Sequence, residues 1–197
     1  MISAIILAAG QSRRMGQPKM PLPWGTETVL GHIINVFQGS GVQDILVITG
    51  GAREVVDKIA QAHRVRTIFN QKYAQQEMLS SLQVGLEALG IETEAALVAL
   101  GDQPQIQEKT VRLIVDTYAQ TAAPLIVPSY QMRRGHPWLV ARKYWVEILG
   151  IHAPDTARDF LNRHSSLIQY VEANTPTILE DLDTANDYAR FNPPPSN

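Results

Sequence analysis

The sequence predicts an α/β protein: a single-domain, Rossmann-like, mostly parallel sheet with helices on both faces. Three observations carry that expectation. Short aliphatic, β-branched runs alternate with longer segments of helical periodicity, the pattern of consecutive βαβ units. The strand-like runs are apolar along their whole length rather than at every second residue, as in strands covered on both sides. No linker-like stretch interrupts the 197 residues, so one domain over residues 1–192 and a short tail over 193–197 account for the chain.

Taken in order, strands are expected at ISAIIL (from Ile2), DILVIT (from Asp44), VRTIF (from Val65), AALVAL (from Ala95) and PLIVP (from Pro124). Helices are expected over residues 28–38, 53–62, 79–89 and 107–121, where apolar residues recur at helical spacing. From Ser129 the alternation loosens. A polar loop precedes an apolar WLV strand, DTARDFLNRH reads as helical and LIQYV as another strand, together an elaboration on the C-terminal part of the sheet. The closing NPPPSN has the composition of a frayed end.

Composition narrows the function classes. A formal net charge of −2 argues against a general nucleic-acid binder. With no cysteine there is no disulfide, thiolate nucleophile or thiolate metal site, which fits a cytoplasmic location. Residues 1–9 are apolar but lack a basic leading region, and no stretch approaches the roughly 18 apolar residues of a membrane span. A soluble protein acting on small molecules remains.

The stretch LAAGQSRRMGQPK, at the end of the first strand, is the strongest chemical signal. Ligands of open α/β sheets sit beyond the carboxyl ends of the strands. Gly10 and Gly16 allow the backbone to turn its N–H groups toward an anion, Ser12 adds a hydroxyl, and Arg13, Arg14 and Lys19 add charge-assisted donors. A phosphate compound suits that set. The motif is not a P-loop, since Gln17 and Pro18 follow Gly16, nor a dinucleotide fingerprint, since position 12 is serine. A second signal is GDQP after AALVAL: Asp102, on the same edge, either holds Mg²⁺ or caps the helix that begins near Gln107.

Together these motifs resemble the molybdopterin-guanine-dinucleotide-synthase-like nucleotidyltransferases, whose first motif reads roughly LAAGxSxRMGxxK. PLPWGTETVL, RRGHP and DTARDFL look most like the molybdenum cofactor cytidylyltransferases among them. The resemblance covers nearly the whole chain and implies the nucleotide-diphospho-sugar transferase fold. It implies transfer of CMP from CTP to the terminal phosphate of molybdopterin. Related guanylyltransferases usually open LAGG, and Ala9 favours CTP over GTP. Leu7, Ala8, Ala9 and Gly10 would line the nucleotide pocket. Ser12, Arg14 and Lys19 would contact the triphosphate, with Arg13 the weaker candidate. Lys19, Arg14 and Asp102 would carry the chemistry. Asp102 and Asp183 would ligate Mg²⁺, although Asp183 also suits an N-cap of a helix over 185–191.

The same resemblance assigns Asn70, Ser80 and Ser81 to base reading, with a plain helix cap as the bland alternative for the two serines. Family members carry glycine where this chain has Glu77, a side chain that either narrows the pocket or faces solvent. Arg134, Gly135, His136, Pro137 and Arg158 would face the acceptor. Against that stand an ion pair of Arg158 with Asp155 or Asp159 and a turn shaped by Gly135 and Pro137. A molybdoenzyme or its maturation chaperone would be the protein partner. Two rivals remain: guanylyl transfer or another phosphate acceptor, and a non-catalytic nucleotide or cofactor chaperone.

Overall fold

A computed structural model describes residues 1–74 and 78–193. In chain order its strands are β1 (Ile2–Ala8), β2 (Pro23–Trp24), β3 (Glu27–Thr28), β4 (Asp44–Thr49), β5 (Arg66–Phe69), β6 (Ala95–Leu100), β7 (Leu125–Tyr130), β8 (Arg133–Arg134), β9 (Trp138–Ala141) and β10 (Ile168–Glu172). The α-helices among the described residues are α1 (Val29–Gly39), α2 (Arg53–Ala62), α3 (Met78–Ala88), α4 (Glu108–Thr121), α5 (Trp145–Leu149), α6 (Ala157–Arg163) and α7 (Ala185–Phe191). Glu77 and residues 194–197 lie outside the described residues, and with them most of the expected tail.

The continuous apolar runs become central strands because both of their faces are covered. In β1, Ala4, Ile6 and Ala8 enter one hydrophobic cluster and Ile5 the other; β4 divides likewise between Ile45 and Val47 on one side and Leu46 and Ile48 on the other. Helices α1, α2 and α4 cover the first face with Ile33, Phe37, Val56 and Ile114. Helices α3, α5 and α6 cover the second with Leu82, Trp145 and Phe160. Each such large side chain withdrawn from water contributes about 1.5–3 kcal/mol. Local signals fix the helix starts: Thr28 caps α1 by accepting from Gly31 N (3.0 Å), and Thr156 opens α6 with a capping box to Asp159.

The sheet order is β10-β7-β9-β6-β1-β4-β5, with β8 paired to β7. Strands β4 and β6 flank β1 in parallel, Ile5 standing opposite Leu46 on one side and Val98 on the other. The chain therefore winds outward through β4 and β5, then returns by α3 to begin again across β1 at β6. That reversal opens a crevice between the carboxyl ends of β1 and β6.

One expectation changes. The WLV strand does belong to the C-terminal part of the sheet, but it breaks the parallel run: as β9 it lies inside, antiparallel to both β6 and β7. The few residues between β7 and β9 are too short for a parallel crossover of a dozen or more residues, so the chain turns back through β8. All of β9, WLVA, is buried, as an interior position demands.

Candidate functional site

The loop leaving β1 is closed on itself. Met15 and Gly16 donate to the carbonyls of Ser12 and Arg13 (3.0 and 3.4 Å), and the Ser12 hydroxyl accepts from Lys19 N at 3.2 Å. Gly16 sits at φ +72°, where glycine is at ease, and Ser12 at +49°, where few other residues are found. Gly10 differs from expectation. It needs no left-handed backbone, and a Cβ added there would meet nothing within 4 Å. What glycine leaves at position 10 is open space on a cleft wall.

That cleft has a volume of about 370 Å³ and occupies the crevice between β1 and β6. Leu7, Met20, Met78 and Leu100 give it an apolar side; Ser12, Lys19, Ser81 and Asp102 give it a polar one. Through Ser12, Lys19 and Tyr73 it shares a wall with a strongly polar cleft of about 360 Å³, to which Arg13, Arg14 and Asp183 contribute. Ala8 turns its side chain into the core and is not among the residues that line these clefts.

Lys19 stands at the junction. Its side chain is only 9% exposed, so the ammonium needs partners. It has two: Asp102 Oδ2 at 3.0 Å and Asp183 Oδ1 at 3.3 Å. Arg14 takes the other Asp183 oxygen at 2.7 Å, completing a chain of alternating charge. Residues far apart in sequence thus meet at one point, two cations against two carboxylates.

The capping alternatives are answered here. Thr184, not Asp183, is the N-cap of α7, in a capping box with Asp187, so the Asp183 carboxylate is released toward Lys19. Helix α4 takes Gln107 as N-cap without a side-chain bond, and Asp102 stays in the cleft. Asp181, two residues before Asp183, has its carboxyl pushed up. Protein crowding around it is the largest cause; the charges of Asp102 and Asp183 add to it, while a bond from Gln103 and the charge of Lys19 oppose it.

Asn70, Ser80 and Ser81 form a buried group. The Asn70 amide donates to both hydroxyls (2.9 and 3.0 Å) and its carbonyl oxygen accepts from Lys72 N at 2.9 Å. Helix α3 begins at Met78, so the two serines lie within it rather than at its cap. Only Ser81 reaches the cleft wall; Asn70 and Ser80 line a separate depression beside α3.

Among the acceptor candidates, Arg134, Gly135, His136 and Pro137 lie elsewhere on the same sheet edge, from the end of β8 to the start of β9. Strand β7 stands two positions from β6, roughly 10 Å at ordinary strand spacing, and β8 follows at its carboxyl end. Arg134 donates to Tyr170 Oη and Asn162 Oδ1, both at 2.8 Å. Arg158 is exposed on α6; Asp155 pairs instead with Arg163, while Asp159, bonded to Thr156, feels the charge of Arg158 without a direct contact. Gly135 packs so tightly on Ile178 that a Cβ would collide with its carbonyl and side chain. Burial pushes the His136 imidazole down to about 4, and the ring is neutral at pH 7. The unfolded chain takes up that proton below about pH 6.5 and the folded one only near 4. Stability is therefore full above pH 6.5 and falls as pH drops from 6.5 toward 4. Thermal melts across that range are expected to show the decline in wild type and a flatter profile in His136→Gln.

Sequence reasoning passed over Tyr73, Met20 and Met78 on the cleft wall, and Gln103 and Asp181 beside it. Gln103 and Asp181 lay in plain view within GDQP and DLDTANDY; the others carry no motif.

Residues 4–167 match the model of the MobA-like NTP transferase domain. The chain belongs to that family. Similar proteins include molybdenum cofactor cytidylyltransferase of Escherichia coli, 30% identical over 95% of this chain and 93% of that one. Another is the bifunctional protein GlmU of Syntrophomonas wolfei, 30% identical over 67% of this chain, which spans only 29% of the length of that relative. Among solved structures, Rv0371c of Mycobacterium tuberculosis superposes with a TM-score of 0.78 at 29% identity, covering 96% of both chains. A second structure of Rv0371c is a complex with manganese, with TM-score 0.76, 28% identity and 97% of each chain covered. The MobA-like domain here thus places its first motif and GDQP at the switch point of the family's fold. No helix among its described residues is long and apolar enough to cross a membrane.

Proposed function

We propose that this transferase moves CMP from CTP onto the terminal phosphate of molybdopterin, releasing pyrophosphate. The observation that carries the reading is the Lys19 ammonium set between Asp102 and Asp183 where two clefts meet. The E. coli relative supports the choice of nucleotide and acceptor. Nucleotide phosphates arriving here would take Lys19 and Arg14 from Asp183, exchanging one anionic partner for another at little electrostatic cost. The polar cleft beside Arg13 and Arg14 suits the pyrophosphate end, and the apolar wall of Leu7, Met20 and Leu100 suits the base and ribose.

The freed carboxylates fit a hard divalent cation. Asp102 and Asp183 offer oxygen donors to one point, and among the described residues no cluster of three His, Cys, Asp or Glu forms a complete protein cage. That is the donor set of Mg²⁺, which takes one or two carboxylates and completes its shell with phosphate oxygens and water. Bound there, Mg²⁺ would screen the phosphates and hold them for in-line displacement.

The rest falls to the chain. An acceptor phosphate oxygen forms a bond to the α-phosphorus of CTP, the bond from that phosphorus to the β-bridging oxygen breaks, and its electron pair leaves with pyrophosphate. The acceptor is already anionic at neutral pH, so no base removes a proton. Lys19 donates to the charge growing around the α-phosphorus, and Arg14 holds the departing end. Arg134, at the end of a strand two positions from β6, and Arg158, exposed on α6, are the residues we assign to the acceptor's own anionic groups.

Mass spectrometry of the product formed from mixed nucleoside triphosphates, Mg²⁺ and molybdopterin tests this. A cytidine dinucleotide is expected. A guanosine adduct would reassign the base, and nucleotide binding without pyrophosphate release would leave a cofactor chaperone. The space beside Gly10 gives a second test. Gly10→Ala is expected to melt as wild type yet bind CTP about tenfold or more weakly by calorimetry, since the added methyl crowds the bound nucleotide by the usual 1–3 kcal/mol of overpacking.

A further inference from the structure

Two irregular segments supply the carboxylates, and they are stitched together behind them. Leu182, fully buried, donates its N–H to the Asp102 carbonyl at 2.8 Å. One residue on from Asp102 and one back from Leu182, Gln103 donates its side-chain amide to Asp181 Oδ1 at 2.6 Å. Gln103 is 4% exposed although its partner lies at the surface. The pairs are nested: Asp102 and Asp183 face Lys19, while Gln103 and Asp181 close the outside.

We propose that Gln103 is a positioning residue for the transfer described above, fixing Asp183 opposite Asp102 through its bond to Asp181. The inference rests on that reading of the site. Asp102, Asp181 and Asp183 repel one another, and Lys19 reaches only the inner two. A neutral amide ties down the third without adding charge, as a second cation would. The buried Leu182 keeps the segment folded without Gln103; what the amide bond adds is the direction in which Asp183 points. Partners that orient metal-binding side chains from behind are typically worth 10–100-fold in affinity or activity.

The test exchanges donor and acceptor. Gln103→Glu preserves shape but sets a carboxylate against Asp181. Gln103→Glu with Asp181→Asn restores one amide–carboxylate bond in the reverse sense. Mn²⁺ affinity is read by electron paramagnetic resonance in the presence of a CTP analogue with a methylene bridge between the α- and β-phosphorus, and kcat is read separately with CTP and molybdopterin. Gln103→Glu is expected to bind Mn²⁺ about tenfold more weakly and to lower kcat about tenfold, with KM for CTP nearly unchanged; the double variant recovers most of both. Should Gln103→Glu fail to fold, Gln103→Leu replaces it, with the same loss expected and no rescue by Asp181→Asn. The proposal is overturned if a folded Gln103 variant matches wild type in Mn²⁺ affinity, or if the double variant melts normally yet recovers nothing. Wild-type protein that releases no pyrophosphate would overturn the transferase reading instead, and the Mn²⁺ measurements would still decide the role of Gln103.

Discussion

Lys19→Met is expected to lower kcat/KM by about 10²–10³ while leaving the fold intact. Methionine keeps the aliphatic stem that packs in this buried position and removes only the ammonium. A preorganised donor aimed at developing charge contributes about 2.7–4 kcal/mol to the transition state, which sets the size of the loss. The stability cost is smaller. Asp102 and Asp183 lose a shared counter-ion, but their side chains are 30% and 38% exposed, so water replaces much of what is lost. Arg14 also still holds Asp183. For partly exposed pairs of this kind the change is about 1 kcal/mol or less. Lys19→Arg is not expected to restore the rate, because a planar fork cannot place one donor between two carboxylates as a point charge does. Steady-state kinetics with a parallel thermal melt checks both parts. A variant within tenfold of wild type would remove Lys19 from the reacting centre.

Much of this geometry was legible before any coordinates. The runs around Ile5, Leu46 and Val98 could be placed as central strands because doubly buried strands carry no alternation to mislead. The loop after β1 could be singled out because glycine, hydroxyl and cations at a strand end have few other uses than binding an anion. Two things resisted. The interior place of β9 depends on how short a connection forces an antiparallel return, a matter of three-dimensional closure that WLVA does not encode by itself. Whether Asp183 caps α7 turned on its neighbour: Thr184 takes the cap, and only the folded chain shows that Asp183 is then left facing Lys19. Tyr73 is harder still, since its place on three cleft walls comes from a turn that no local pattern marks. The resemblance makes Asn70 a candidate for base reading; the fold adds that its amide is bonded to Ser80 and Ser81, which no sequence pattern marks.

Asp102→Asn is expected to reduce kcat by a similar factor, about 10²–10³, but for a different reason that can be told apart. The substitution conserves volume, and the backbone carbonyl that accepts from Leu182 N is untouched, so the two segments stay joined. One negative charge is lost from a group of three carboxylates. The Asp181 carboxyl, held up in part by Asp102, is then expected to move back toward its ordinary value, which carbon-detected NMR titration of the side chain would record. A neutral amide is a poor ligand for a hard cation that prefers carboxylate oxygens. Raising the divalent metal concentration should therefore recover part of the activity of Asp102→Asn and none of that of Lys19→Met, whose deficit is a missing donor rather than a missing ligand. A metal titration of Asp102→Asn that superposes on wild type would contradict the ligand role. In that case Asp102 would serve only to hold Lys19, and the two variants would behave alike at every metal concentration.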